Sequence, residues 1–350
     1  MTVHYKTFTI ADLRNWLVEN QVNGISAKVI DPCRAYAWLN NPSVLEEDIA
    51  LVVVYDENEV PIGYTGAFSE NIVEGNTQGR FFWGSTEWLD PEFRGKGIAS
   101  SMMHKIKEAV GYGNYFASDS SESSVRLDKK QGSQIQYYQR VKYRLSAKDS
   151  FKGRCVSLYV SIKNNLSLAK IKQTNYTNEY ITFIDEETYA FMRVHSQKNL
   201  FLRQRETFNW MLHYPFLNPV GEDGHEEKAS CEFSSKVSLY SIVAIKVKVD
   251  DVLRGVYIVS QTDSKRTLRY LYYDEDFKDN VFASVVSNLV QKGVNEIHFF
   301  SIPLHHFMQK NKIMRINSKS IFDQVAFTTP GSFGYDRSLC MQGGDGDMFC

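Results

Sequence analysis

The chain has 350 residues, with 40 Lys plus Arg against 41 Asp plus Glu and a formal net charge of -1. That length suits two domains, and the charge balance gives no electrostatic case for nucleic acid or an anionic membrane as partner. No apolar run approaches the roughly 18 residues of a membrane span, residues 1–8 lack a secretory pattern, and five scattered cysteines without Cys-x-x-Cys spacing suggest neither a zinc site nor a disulfide framework.

Leu51 to Tyr55 is a continuous β-forming run and residues 61–68 form a second; the polar residues 56–59 between them make a hairpin. Arg80 to Leu89, rich in aromatics, is a third strand. It feeds Asp90, Pro91, Glu92, Phe93, Arg94, Gly95, Lys96, Gly97, Ile98, Ala99, Ser100 and Ser101, and residues 102–107 continue as a helix. A strand that opens a helix through a Gly-rich turn aims free N–H groups and the positive end of the helix dipole at one spot. Gly95 and Gly97 let an anion approach the backbone, and Arg94 and Lys96 add charge. The loop therefore predicts a phosphate-bearing ligand. Its spacing is neither Gly-x-x-x-x-Gly-Lys-Ser/Thr nor Gly-x-Gly-x-x-Gly. Residues 114–118 are expected to be a strand, 133–140 a short helix and 141–144 a further strand.

Residues 156–162 are read as a strand, and the domain boundary is placed after residue 150. In the second half, residues 179–185 are a strand and 186–196 and 201–212 are helices. Residues 238–249 and 254–260 make a hairpin and 269–273 a strand. Residues 281–292 show apolar positions at helical spacing, and Gly293 stops that helix. A strand at 296–300, a short helix at 304–308 and two strands to Thr328 complete the order. The second half thus repeats the element order of residues 45–145, but Asp274, Glu275 and Asp276 stand where the first half has its cationic loop. Only the first half is expected to bind a pyrophosphate.

Arg94-x-x-Gly97-x-Ala99 after Asp90-Pro91-Glu92 resembles the coenzyme A pyrophosphate loop of the GNAT acyltransferases. Residues 137–143 resemble that family's late Phe-Tyr-Glu-Lys-Leu-Gly-Phe signature, with Lys142 departing from the usual Gly. The whole chain resembles the tandem-GNAT nucleotide-sugar N-acyltransferases of the FdhC type, from bacterial surface-polysaccharide (O-antigen, lipopolysaccharide) pathways. The resemblance implies an α/β fold of two tandem GNAT-like domains, residues 1–150 binding acyl-CoA and residues 151–350 lying on the acceptor side. It implies acyl-CoA as co-substrate, a dTDP-linked amino sugar as acceptor, a cytoplasmic enzyme and no metal. A peptide or amino-acid amine as acceptor, or a non-catalytic acyl-CoA-binding module, are the alternatives.

Acyl transfer from a thioester to an amine needs a base for the amine, a donor for the oxyanion and a proton for the leaving thiolate. The resemblance gives the last role to Tyr138; a core tyrosine is the alternative. Backbone at Trp88 or Leu89, on the strand before the loop, is the expected oxyanion donor, with residues Arg94 to Ser100 around the pyrophosphate. Glu87 is the candidate base, and strand alternation puts Ser85, Glu87 and Leu89 on one face. Asp345 and Asp347, in the Asp-Gly-Asp tail, are alternatives for it and candidates for acceptor contacts, together with His213. His305 and His306 lack the neighbouring carboxylates a metal site requires.

Overall fold

The computed structural model describes residues 2–19, 25, 29–74, 77–147, 150–172, 174–219, 236–316, 321–330 and 339–346. The first half runs β1 (His4–Thr9), α1 (Ile10–Glu19), α2 (Pro32–Leu39), β2 (Ile49–Tyr55), β3 (Pro61–Glu74), β4 (Thr77–Leu89), α3 (Ile98–Val110), β5 (Tyr115–Ser118), α4 (Glu122–Lys130) and β6 (Gln134–Arg144). Then come α5 (Phe151–Ile171), β7 (Thr177–Ile181), α6 (Glu186–Val194), β8 (Leu202–Arg203), α7 (Arg205–His213), β9 (Asn218–Pro219) and β10 (Lys236–Val237). The chain continues with β11 (Tyr240–Val249), β12 (Val252–Thr262), β13 (Lys265–Tyr273), α8 (Lys278–Leu289), β14 (Glu296–Phe299), α9 (Ile302–Lys310) and β15 (Phe322–Thr329). This is a mixed α/β GNAT fold.

The strands form one large mixed sheet in the order β1-β2-β3-β4-β5-β15-β6-β14-β13-β12-β11-β7. The last strand of each half is exchanged. β15 lies between β5 and β6, antiparallel to both, and β6 lies between β15 and β14. Each half therefore closes its sheet with a strand from the other.

Alternation along buried strands separates the cores. Leu51, Val53 and Tyr55 of β2 join a core with Trp38, Trp83, Met192, Phe208, Trp210, Ile258 and Tyr270, which spans both halves under α2, α6 and α7. Val52 and Val54 face the other way, against Ile98, Met102 and Ile106 of α3. A third core packs α8 and α9 on the second half's outer face. Each fully buried aliphatic side chain contributes roughly 1.5–3 kcal/mol relative to exposure.

Three sequence expectations fail here. Residues 156–162 are not a strand but the middle of α5, whose buried Val160, Asn164, Leu168 and Ile171 recur at helical spacing. Residues 133–140 are not a helix but most of β6, held by an antiparallel ladder to β15 from Gln134↔Thr329 to Val141↔Phe322. The helix between β5 and β6 is α4, eleven residues earlier, capped by the Ser121 side chain on Ser124 N–H. One described strand, β15, stands where two were expected before Thr328.

β4 and β5 pair parallel at only two positions, Phe82↔Tyr115 and Trp83↔Phe116, and part from Gly84 onward. A Cβ at Gly84 would overlap the Tyr115 hydroxyl and ring. Gly84→Ala is expected to destabilise the fold by about 1–3 kcal/mol, and Tyr115→Phe in the same chain should recover part of that loss by removing the nearest overlapping atom. Urea denaturation of the two single variants and the double variant measures the coupling; a Gly84→Ala protein as stable as the parent contradicts it.

Candidate active site

The parting of β4 and β5 opens a cavity of about 480 Å³. One wall is first-half backbone and side chain, including Gly84, Ser85, Thr86, Glu87, Ala117, Ser118 and Asp119, with Ser121, Ser124 and Asp128 of α4 beside them. The other wall comes from β13, β14 and β6.

Local structure aims Glu87 into this space. The β3–β4 register slips by one between Tyr64↔Trp88 and Gly66↔Ser85, so Thr86 and Glu87 oppose Thr65 alone. Thr86 takes φ 53°, a bulge conformation. The bulge breaks the simple alternation expected for Ser85, Glu87 and Leu89. Trp83 and Trp88 pack on the inter-half core, whereas Phe82 and Leu89 pack on the α3 side, so the face changes between Ser85 and Glu87.

Glu87 accepts a hydrogen bond from Ser124 Oγ at 2.8 Å. Burial raises its pKa above the usual carboxylate value, the Asp128 charge raises it further, and Ser124 and Lys107 pull the other way. Behind it Lys107 and Asp128 form a buried ion pair at 2.7 Å, and Thr328 Oγ1 of the exchanged strand β15 donates to Asp128 at 3.0 Å. A carboxylate that is desolvated yet hydrogen-bonded is a better proton acceptor than a solvated one.

Past Trp83, β4 has no ladder partner on its β5 side. Asp90 N–H bonds Ile62 O on β3, so Leu89 turns its N–H and C=O to the open edge; its C=O accepts from Arg94 Nε at 3.0 Å. Of the two backbone donors expected, Leu89 faces the gap. Trp88 bonds toward β3 and stacks its ring on Tyr64.

A short 3-10 turn, Pro91–Phe93, leads from Asp90 into Arg94, Gly95, Lys96 and Gly97. Gly95 has φ 77° and Gly97 φ 81°, a region that suits glycine. Gly97 caps α3 without a side-chain hydrogen bond, and the first helical bond is Ser101 N–H to Gly97 O. The N–H groups of Ile98, Ala99 and Ser100 have no acceptor inside the helix, so the positive pole of α3 is open to an anion. The expected loop, Arg94 to Ser100, is therefore assembled as a cradle.

The second half lacks that cradle. β13 and β14 also part, after Thr267↔His298. Asp274 caps its 3-10 turn Glu275–Phe277 through Asp276 N–H, as Asp90 does through Glu92 N–H. Asp274–Phe277 thus corresponds to Asp90–Phe93, a correction to the alignment of Asp274, Glu275 and Asp276 with Arg94, Gly95 and Lys96. Lys278 starts α8 at once, so residues 94–97 have no counterpart. The gap itself is occupied by the tail: the Gln342 side chain bonds Leu271 N–H and C=O at 3.2 Å each.

Three other expected site residues are not in the cavity wall. Tyr138 lies on strand β6, not on a helix, with its ring edge-on to Phe327 in the inter-half core. His213 ends α7, exposed, with Nδ1 2.8 Å from Asn209 O. Asp345 is fully buried and 4.0 Å from Arg203 Nε, while Arg203 pairs with buried Glu70 at 2.9 Å. Burial pushes Asp345 up to about 7. It pins the tail inside the protein rather than meeting an amine. Asp347 lies outside the described residues. Ser124, Asp128 and Lys107 were missed, although Ser121-Glu122 is a readable helix start and Ser124 and Asp128 are spaced for one helix face. Among the described residues there is no metal-binding cluster and no helix long and apolar enough to cross a membrane.

Residues 10–127 match the model of the Acetyltransferase (GNAT) family. Crystal structures of GCN5-related N-acetyltransferases from Kribbella flavida and Anabaena variabilis ATCC 29413 superpose with TM-scores of 0.52 each. They cover 95% and 93% of this chain and 73% and 72% of their own, at 9% and 12% identity, a likeness of fold. No curated protein matches the sequence. The family match supports N-acyltransferase chemistry with acyl-CoA as donor.

Two outcomes are expected from the loop. Gly97→Val meets no neighbouring atom but forces a β-branched residue to positive φ, so the loop should lose its shape. Coenzyme A affinity by calorimetry should fall at least about tenfold, with α3 and the fold intact by circular dichroism. Titration of the parent protein should give one coenzyme A per chain; two would contradict the missing cradle of the second half.

Proposed function

We propose that the chain is an N-acyltransferase that moves an acyl group from acyl-CoA to the amine of a dTDP-linked amino sugar. In this reading residues 1–150 hold the acyl-CoA and residues 151–350 close the acceptor side. The observation that carries the acyl-transfer step is Glu87 in the cavity at the parting of β4 and β5, on the strand that leads into the Arg94–Ser100 loop. The sugar acceptor rests on the sequence resemblance. An amino-acid or peptide amine is the second reading, favoured by the cationic second-half wall, which suits a carboxylate as well as a phosphate.

The pyrophosphate of the donor sits on the N–H groups opening α3, and the pantetheine chain runs along the unpaired edge of β4. The neutral amine nitrogen bonds to the thioester carbon, Leu89 N–H stabilises the oxyanion, and Glu87 takes the proton that the nitrogen loses as the carbon–nitrogen bond forms. The carbon–sulfur bond then breaks. The proton held by Glu87 returns to the thiolate, with Ser124 Oγ, already bonded to Glu87, as the hydroxyl through which it can pass. The products are an amide and free coenzyme A, with no covalent enzyme intermediate.

Glu87→Gln keeps the Ser124 hydrogen bond and removes the buried charge. Its kcat should fall about 10²–10⁴-fold, while its thermal midpoint stays level or rises because a desolvated carboxylate is gone. Because the Glu87 pKa is raised, the base is lost as pH falls through a value above the ordinary carboxylate range, and kcat/KM of the parent should drop there. Free-thiol release from acyl-CoA with candidate amino sugars, followed across pH, measures both. Full activity in Glu87→Gln removes the residue from the mechanism.

A further inference from the structure

Lys265, Thr267 and Arg269 of β13 all line the cavity, Arg269 as the extra residue of a one-residue bulge opposite Ile258 and Val259. Arg140 of β6 and His298 of β14 stand beside them, and Arg34 of α2 reaches the same space from the first half. These cations are not equivalent. Arg140 is held by Asp119 at 2.7 Å and Asp323 at 2.6 Å. Arg34 donates to Ser85 Oγ at 3.1 Å and lies over the Phe216 ring. Arg269, almost fully buried, donates to Ser260 Oγ at 2.6 Å and to the Gly343 carbonyl of the tail at 3.1 Å. Among the described residues nothing forms a hydrogen bond or ion pair with the Lys265 ammonium.

The acidic groups of the cavity are on the opposite wall. They are Glu87, Asp119 tied to Arg140, and Asp128 tied to Lys107 and Thr328. Glu296, next to the pocket, is engaged by His298 at 3.0 Å. Burial first, then the neighbouring Arg269 and Arg140, hold the Lys265 ammonium below its ordinary pKa, with the Glu296 and Asp119 carboxylates acting the other way.

We propose that the Lys265-Thr267-Arg269 stripe binds an anionic group, a phosphate or a carboxylate, carried by the same molecule whose amine meets Glu87. This rests on the acyl-transfer reading and names the class of its acceptor. Taken as a sphere, the cavity is about 10 Å across, so the anion lies within a few bonds of the amine. Lys265 supplies a mobile point charge, Thr267 a hydroxyl and Arg269 a guanidinium fixed by Ser260 and Gly343. Glu87 belongs to the first half and Lys265, Thr267 and Arg269 to the second, so an acceptor spanning them needs both. The stripe sorts amines by their second functional group, and simple cationic amines are repelled by it.

The test is calorimetry on protein saturated with coenzyme A, so that the α3 cradle is filled. The probes are an amino sugar 1-phosphate against the same sugar without phosphate, and an α-amino acid against its amide. In at least one pair the anionic member should bind at least tenfold tighter. Lys265→Met and Lys265→Glu should abolish that difference, Lys265→Arg should retain it, and coenzyme A affinity should be unchanged in all three. The pair that shows the difference identifies the anion as phosphate or carboxylate. Equal binding within both pairs, no binding of either anionic member, or a preference that survives Lys265→Met overturns the proposal. Thiol release tests the transferase reading separately. Turnover of amines irrespective of an anion refutes the stripe and leaves acyl transfer standing. Anion preference without thiol release on any amine refutes acyl transfer and leaves the stripe standing.

Discussion

The site depends on two strands parting. β4 and β5 run parallel for two residue pairs and then diverge at Gly84, where the Tyr115 hydroxyl occupies the space a side chain would need. Divergence leaves the β4 edge without ladder partners, which in a sheet interior is costly unless something else satisfies it. Here that edge, with Leu89 N–H directed outward, is the natural track for an amide-bearing ligand. The bulge at Thr86 sits in the same few residues and turns Glu87 toward the gap. The open edge, the outward Leu89 N–H and the turn of Glu87 toward the gap thus follow from one local departure from regular pairing.

The second half shows what happens when the same opening is not used. β13 and β14 part in the same way, yet the chain supplies its own filler: the Gln342 side-chain amide bonds both backbone groups of Leu271. The tail that carries Gln342 is pinned by Asp345 beside Arg203, which also pairs with Glu70. Two carboxylates share one buried guanidinium, so the cluster is under-supplied with positive charge, and Asp345 holds its proton to about 7. Such an arrangement costs desolvation, and its return is a fixed geometry for residues 340–346. Of two similar openings, one is left as a cavity and the other is filled by the chain itself.

How much of this could be read in the sequence depends on the reach of each interaction. The Arg94–Ser100 cradle was legible because it is local: two glycines, a cation on either side and a helix start lie within a dozen residues. Glu87 was legible as a candidate but not in its orientation, since a one-residue bulge cancels alternation without leaving a Gly or Pro to mark it. β6 was misread because Gln134 to Val141 takes its ladder partner from residues nearly 190 positions later, and neither propensity nor the Tyr137–Tyr143 resemblance contains that partner. With β6 went the placement of Tyr138. Asp345 was misread for a similar reason: a Gly-rich acidic tail looks solvated unless Arg203, more than a hundred residues upstream, is known to receive it. Lys265, Thr267 and Arg269 were not singled out in the sequence, since nothing local tells that they face the cavity opened at the other half's strand edge.

The exchange of β6 and β15 has a consequence for how the chain comes into being. During synthesis the first half emerges with β5 and β6 unable to pair with each other directly, because the strand that belongs between them, Phe322–Thr329, is encoded near the end of the chain. Until it arrives, two strand edges stay unpaired, and unpaired edges recruit neighbours. Native pairing between residues so distant in sequence is slow to form. Thr328 of that late strand is also the residue that hydrogen-bonds Asp128 behind Glu87. A nascent first half can thus form its Arg94–Ser100 turn early but completes the surroundings of Glu87 only when β15 has been threaded in, so that chains stopping short of Phe322 lack the Thr328 contact behind that carboxylate.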